Sequence, residues 1–175
     1  AFWTYNYNII GKANEVILAA EKLGLEDNPI TKKAWAEAKL FRGRSYFELY
    51  KRYERLYLNI APTNYTNLDR EFTPAIFKLI NDDLIDAMDV LDWTAPSSSA
   101  GVSYGRFTKA VAKHIKAQVA MWQENWDEAI KQCEDIFACP DYAMLDDRSA
   151  VFSGADLNNS EILWSFQFSK AIGGG

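Results

Sequence analysis

The sequence predicts a mainly α-helical protein of stacked antiparallel helix pairs, followed by a loop-rich C-terminal part that contains one short strand. Two observations carry this prediction. Apolar residues recur at helical spacings of i, i+3 and i+4 through most of residues 2–137. Within residues 106–140, two such stretches flank a short polar turn at 123–125, with small residues placed among large ones, as closely packed helices require. We therefore expect the other helices to stack on this pair.

The length and composition indicate one domain over residues 1–175, with a helical scaffold at 1–140 and a loop-rich segment at 141–175. Hydrophobic residues make up 49% and charged residues 25%, which excludes a disordered chain. The net charge of −5 argues against a nucleic-acid partner, because such a partner requires a basic face. No apolar run approaches the roughly 20 residues of a membrane span. The chain shows no starting Met and no leader, so we expect a processed or partial protein.

The sequence indicates no catalytic residues, metal site or cofactor. One histidine and no CxxC pair argue against zinc. Asp82, Asp86 and Asp89 share a helix face, and such a face cannot wrap a hard cation as a loop with carbonyl ligands does. His114 has no nearby Ser, Cys or metal partner in its helix, so we interpret it as a structural residue. No motif pairs an acid with a nucleophile, so the motifs argue against an enzyme.

The first two helices are predicted at residues 2–23 and 31–58. Gly24 is a natural cap for the first. The second is apolar on two sides, which is typical of a helix that lies between neighbours. Gly43 in its interior costs about 1 kcal/mol relative to alanine. Close approach of another helix would offset that cost.

A third helix is predicted at residues 72–93, after a loop at 57–71, with Thr73 as its cap and Pro74 in the first turn. A second loop at 93–107 leads into the helix pair.

In the helix pair, Asn125 is the expected N-cap of the last helix. Ala117, Ala129 and Pro140 are spaced as in the tetratricopeptide helix-turn-helix unit. We expect the last helix to bury one apolar face. That face comprises Trp126, Ile130, Cys133 and Phe137.

The only regular piece predicted after Pro140 is a strand at residues 161–168, where apolar side chains alternate with other residues. A lone strand is not stable. We therefore expect its partner in a fuller chain or in another part of this one.

Aromatic residues make up 14% of the chain, and most of them should fill the core. Some could line a ligand surface, because flat rings stack on sugars, bases and apolar ligands. Our candidate ligand-binding residues are Trp3 and Tyr5, next to two asparagines in the first helix, then Tyr65 and Trp93 in the two loops. The alternative for Trp3 and Tyr5 is an aromatic anchor at the end of a buried helix.

Four segments, in this order, resemble the SusD/RagB family of nutrient-binding outer-membrane lipoproteins of Bacteroidota. They are YNIIGKANEVI, AEAKLFRGRSYFELYKRY, IFKLINDDLIDAMDVL and GRFTKAVAKHIKAQVAMWQENWDEAIKQCEDIF, the last followed by YAML and SEILWSFQFS. The second is similar to the family helix AEARFLRAFYYFxLVRxYG, and the fourth to GRaTKxAAxALLARvyLyxxdWxxA. The departure lies after the second segment, where RYERLYLNIAP stands in place of a Tyr-Gly and a Val-Pro-Leu.

The resemblance implies a SusD-like superhelix of tetratricopeptide-like pairs in a lipid-anchored protein at the cell surface, with the anchor outside this chain. It also implies a TonB-dependent, SusC-like barrel transporter as partner, and binding of an oligosaccharide or other nutrient without cleavage. Family members carry ligand contacts on variable loops, so no binding residue follows from the motifs. Two alternatives stay open: a docking scaffold whose ligand site lies outside these residues, and a helical enzyme such as a glycosidase.

Overall fold

The computed structural model describes residues 1–25, 28–53, 55–61, 70–71, 73–95, 104–154, 156 and 158–167. The helices in this part of the chain are α1 (Phe2–Leu23), α2 (Pro29–Tyr53), α3 (Thr73–Val90), α4 (Lys109–Trp122), α5 (Trp126–Phe137) and α6 (Arg148–Phe152). Strands β1 (Leu56–Tyr57) and β2 (Arg70–Glu71) form one short antiparallel pair, in which Leu56 lies opposite Glu71. This mainly α architecture is the predicted fold class.

Helices that follow one another in sequence are neighbours in space. α1 packs on α2, α2 on α3, α3 on α4, and α4 on α5. This is the predicted stacking of antiparallel helix pairs. None of the helices in the described ranges combines the length and the apolar character that crossing a bilayer requires.

Helix α2 lies in the centre of the core, as predicted. Its Leu40, Tyr46 and Leu49 are fully buried. A Cβ atom at Gly43 would lie 3.3 Å from the Asp83 Cβ and 3.4 Å from the Ile80 carbonyl oxygen. The close approach expected at Gly43 is therefore real, and it brings α3 against α2.

The predicted helix bounds hold with small shifts. α1 has the predicted bounds, and Gly24 follows it with a φ of 86°, in the left-handed region that glycine adopts readily. α2 begins at Pro29 because the Asn28 side chain accepts hydrogen bonds from the backbone N–H groups of Ile30 and Thr31, each at 3.1 Å. It ends at Tyr53 and not at 58, since the chain pairs in β1 soon afterwards. α3 spans Thr73–Val90, within the predicted range.

The turn between α4 and α5 is confirmed. Glu124 takes the left-handed conformation, with a φ of 57°. The Asn125 side chain caps α5 by accepting a hydrogen bond from the Glu128 N–H at 3.2 Å.

The predicted buried face of α5 is wrong. Trp126, Ile130 and Phe137 are 59%, 56% and 78% exposed, and Cys133 is exposed as well. The residues that α5 buries are Ala129, Gln132 and Ile136. Small Ala129 lets α5 approach α4 closely. Gln132 is satisfied there because its Oε1 accepts a hydrogen bond from the Lys113 Nζ at 3.0 Å.

The predicted strand at 161–168 does not form in the described residues 161–167; residue 168 lies outside the described ranges. The segment pairs with no strand of the described chain, so its alternating pattern has no ladder to support it. It is held instead by side chains. Trp164 donates its indole N–H to the Gly105 carbonyl at 2.8 Å, and Leu163 and Trp164 both pack on the core.

A buried ion pair connects α2 to α3 and extends to α1. The Arg42 Nε and Nη2 donate to the two carboxylate oxygens of Asp83 at 2.7 and 2.8 Å. The Arg42 Nη1 donates to the Asn14 side chain at 2.8 Å. Asn14 in turn donates to the backbone carbonyls of Asn59 and Ala61. Burial raises the pKa of Asp83, and the hydrogen bonds from Arg42 act against that shift.

Two tyrosines hold the segment after α2 in place. The Tyr7 hydroxyl donates to the Tyr57 carbonyl and accepts from the Tyr57 N–H, at 2.9 and 2.8 Å. The Tyr46 hydroxyl does the same with Asn59, at 2.9 and 2.6 Å. Burial raises the pKa of Tyr46, so this hydroxyl stays protonated and keeps both bonds.

We expect Asp83→Ala to lower the free energy of unfolding by about 3–5 kcal/mol, because Arg42 would be left buried without a counter-ion. Urea unfolding followed by circular dichroism measures this loss. Asp82→Ala is the matched control. It removes only an exposed pair with Lys78 and should cost below about 1 kcal/mol. Equal losses in the two variants would show that the buried pair contributes no more to the free energy of unfolding than the exposed pair does.

Candidate functional site

The aromatic residues predicted to bind ligand lie in separate surroundings. Trp3 is half-buried, and its ring packs within 4.8 Å of the Tyr7 and Tyr53 ring centres and 6.0 Å from that of Tyr57. It therefore anchors the start of α1 to the segment after α2. This is the structural alternative that the sequence left open.

Tyr5 is 56% exposed and lies in a groove between α1 and α2 with a volume of about 530 Å³. The walls of this α1–α2 groove are mainly apolar. Phe41 and Ala38 come from α2, and an ion pair between Arg106 and Glu37 closes one side.

Trp93 is half-buried and packs on the small cluster of Ala110, Cys139 and Tyr142, with the Lys113 Nζ 5.7 Å from its ring centre. Tyr65 lies outside the described residues. The structure thus distributes Trp3, Tyr5 and Trp93 over three groups of neighbours and does not gather them into one site.

A different surface has the composition expected of a ligand site. Helices α2 and α4 both pack on α3 and barely touch each other, which leaves a cleft between them. This α2–α4 cleft consists of two adjoining cavities of about 530 and 450 Å³, and Gln118 lines both. We call them the Trp122 end and the Arg44 end.

The Trp122 end presents two indole rings to solvent. Trp122, at the end of α4, and Trp126, at the start of α5, are 52% and 59% exposed. The Trp122 ring meets the rings of Phe47 and Tyr50 nearly edge-on, each 6.3 Å from centre to centre, which fixes its orientation. Lys51 adds a charged group beside these rings.

The Arg44 end is built around Trp164. This ring is held by Phe107 and Phe166, whose centres lie 5.0 and 4.5 Å away, and by its hydrogen bond to Gly105. The Arg44 guanidinium carbon lies 5.4 Å from the Trp164 ring centre, a cation–π distance. One guanidinium and one indole are therefore positioned together by the packing of the core.

Both carboxylates at the Arg44 end already hold hydrogen bonds. Glu48 accepts from Lys51 Nζ at 2.6 Å and from Arg52 Nη1 at 3.1 Å. Partial burial acts to raise the pKa of Glu48, but these bonds outweigh burial and lower the pKa. Glu161 accepts from the Leu145 N–H at 2.7 Å. Both carboxylates at this end are thus occupied by hydrogen bonds within the protein.

His114 lines the Arg44 end, with its Nε2 3.1 Å from the Gln118 side-chain nitrogen. Partial burial lowers the pKa of His114. The imidazole is therefore neutral at pH 7. It can accept a hydrogen bond from an uncharged hydroxyl or donate one to it.

Sequence reasoning missed this cleft because it assigned Trp126 to a buried face. A usable signal was present. Trp122 and Trp126 flank the polar turn at 123–125, and side chains at the two ends of a helix turn reach solvent readily.

We predict that the ring signals of His114 titrate in NMR spectra with a pKa below the ordinary value of about 6.5. A lowered pKa in the folded state stabilises the protein above the unfolded pKa, and this contribution is lost as the pH falls through the folded pKa. His114→Gln should therefore weaken the loss of stability between pH 7 and pH 5. A His114 pKa above 6.5 would contradict the lowering that we ascribe to partial burial.

Comparisons with known proteins agree with the fold. No family model matches the chain. The SusD-like protein P25 of Formosa agariphila is 33% identical over 70 residues, which are 40% of this chain and 13% of that protein. A SusD-like protein of Bacteroides fragilis superposes with a TM-score of 0.81 at 21% identity, over 99% of this chain and 34% of that one. A laminarin-binding SusD-like protein superposes with a TM-score of 0.81 at 22% identity, over 93% and 36%.

The chain spans about a third of the length of these solved structures. The structural likeness extends over nearly all of the chain, and the sequence likeness over 70 residues. The chain therefore has the helical fold found in these SusD-like proteins.

Proposed function

We propose that this chain is the helical part of a cell-surface binding protein that captures oligosaccharide and passes it to a TonB-dependent outer-membrane transporter. The observation that carries the proposal is the α2–α4 cleft, where the exposed rings of Trp122 and Trp126 adjoin amide and charged side chains. Indole faces stack on the apolar faces of sugar rings, and polar side chains bind the hydroxyls.

The cleft supports binding in preference to catalysis. Glu48 and Glu161 each accept hydrogen bonds from neighbouring groups of the protein. A glycosidase requires one carboxyl group as a proton donor and another as a base or nucleophile. At the Arg44 end of the cleft, both carboxylates are engaged in holding the structure.

The family resemblance supports a proposed placement at the outer membrane, with a lipid anchor outside these residues. The laminarin-binding structure with the same fold supports a saccharide as the captured nutrient. Tyr5 in the α1–α2 groove, with Trp3, Tyr65 and Trp93, stays a second set of proposed ring contacts.

A second candidate function is favoured by the outward face of α5. Trp126, Ile130, Cys133 and Phe137 follow one another at helical spacing and are exposed. Contiguous apolar surface of this kind marks protein contacts. In this alternative the helical region docks on the barrel transporter, and the ligand site lies outside these residues.

Isothermal titration calorimetry with a panel of neutral and anionic oligosaccharides, laminari-oligosaccharides included, tests the first proposal. We expect Trp122→Ala to weaken binding about tenfold or more, equivalent to about 1.4 kcal/mol, because a stacking surface is lost. Phe152→Ala is the control, since Phe152 is 80% exposed and lies on α6. A loss confined to Tyr5→Ala would move the site to the α1–α2 groove. An absence of binding to every saccharide would overturn the proposal.

The docking candidate predicts that Ile130→Glu combined with Phe137→Glu abolishes co-purification with the transporter from outer membranes, because two charges would be placed in an apolar contact. Phe152→Glu serves as the matched control for an added surface charge. Undiminished co-purification of the double variant would remove α5 from the interface.

A further inference from the structure

We propose that the Arg44 end of the α2–α4 cleft recognises an anionic group on the bound saccharide, either the carboxylate of a uronic acid or a sulfate ester. This inference rests on the proposed glycan binding and names the class of ligand. A planar guanidinium binds both groups through paired hydrogen bonds to two oxygens.

The first support is that the Arg44 guanidinium is available. Arg44 is half-buried in the cleft and makes no hydrogen bond or ion pair with any residue that the structure describes. Its guanidinium carbon lies 5.4 Å from the Trp164 ring centre, and its charge also acts on the Glu48 carboxylate one helical turn away. This contrasts with Arg42, two residues earlier, whose three donating nitrogens are all engaged in the core.

The second support is the state of the neighbouring acidic groups. The Glu48 carboxylate is bound by Lys51 and Arg52, at 2.6 and 3.1 Å. Glu161 accepts a backbone N–H at 2.7 Å. The two short contacts to Glu48 thus come from Lys51 and Arg52 and not from Arg44.

The third support is the geometry around the guanidinium. Trp164 is locked by Phe107, Phe166 and the Gly105 carbonyl, so Arg44 rests on a fixed ring. Preorganisation of this kind reduces the entropy that binding would otherwise cost. Gln118 connects the two ends of the cleft. An acidic sugar at Arg44 would therefore continue towards the rings at the Trp122 end.

The test compares saccharides that differ only in charge. Trigalacturonate and its methyl ester form one pair of probes, and a sulfated carrageenan tetrasaccharide and its desulfated form make the other. Calorimetry is run on the wild-type chain, Arg44→Gln, Arg44→Lys and the remote control Arg148→Gln. Circular dichroism confirms that each variant folds.

We expect the wild-type chain to bind at least one anionic probe about tenfold more tightly than its neutral partner. Arg44→Gln should remove this preference, Arg44→Lys should retain part of it, and Arg148→Gln should leave it unchanged. Whichever pair shows the preference identifies carboxylate or sulfate as the recognised group. The preference should also weaken as salt is raised, because partly exposed charges are screened.

Equal affinity for charged and neutral partners would overturn the inference while leaving glycan binding intact. So would a preference that survives in Arg44→Gln. If none of the four probes and no other saccharide binds, the proposed function itself fails.

Discussion

The bidentate pair between Arg42 and Asp83 is the interaction on which the arrangement of the first three helices depends. Both charges are removed from water, and neither is tolerated there without the other. Its two short hydrogen bonds set the register of α2 against α3, at the level where Gly43 lets the helices approach. The remaining guanidinium nitrogen binds Asn14, which carries the connection to α1. One ion pair therefore positions three helices.

The same helix supplies the candidate site because of its period. Arg42 points into the core, and Arg44, two residues later, points to the other side of α2. Glu48 and Lys51 follow Arg44 at spacings of four and three, so all three face the cleft. Any shift of α2 along α3 would thus displace the cleft residues as well. The buried Arg42 therefore determines the position of Arg44 in the cleft.

Helix existence could be predicted from the sequence because apolar spacing, caps and turns are local signals. Asn125 and Gly24 marked their helix ends correctly. Which face of a helix is buried depends on its neighbours in space and is not a local signal in the sequence. For α5, small Ala129 and the bonded Gln132 face α4, while large Phe137 faces out. The burial of Asp83 was also missed. Its neighbours Asp82 and Asp86 form ion pairs that are partly exposed, and its own partner, Arg42, lies 41 residues away in the sequence.

The candidate site could not be predicted from the number of aromatic residues, because most aromatic rings in this chain stabilise the fold. Tyr7 and Tyr46 use their hydroxyls to hold the backbone after α2, and Trp3 packs against that segment. What separates Trp122 and Trp126 from these rings is position. Both lie where α4 turns into α5 and are more than half exposed, and Phe47 and Tyr50 support the ring of Trp122. In this chain, the rings that are accessible to a ligand lie where one helix ends and the next begins. That condition is set by the turn at 123–125 and not by the number of aromatic residues.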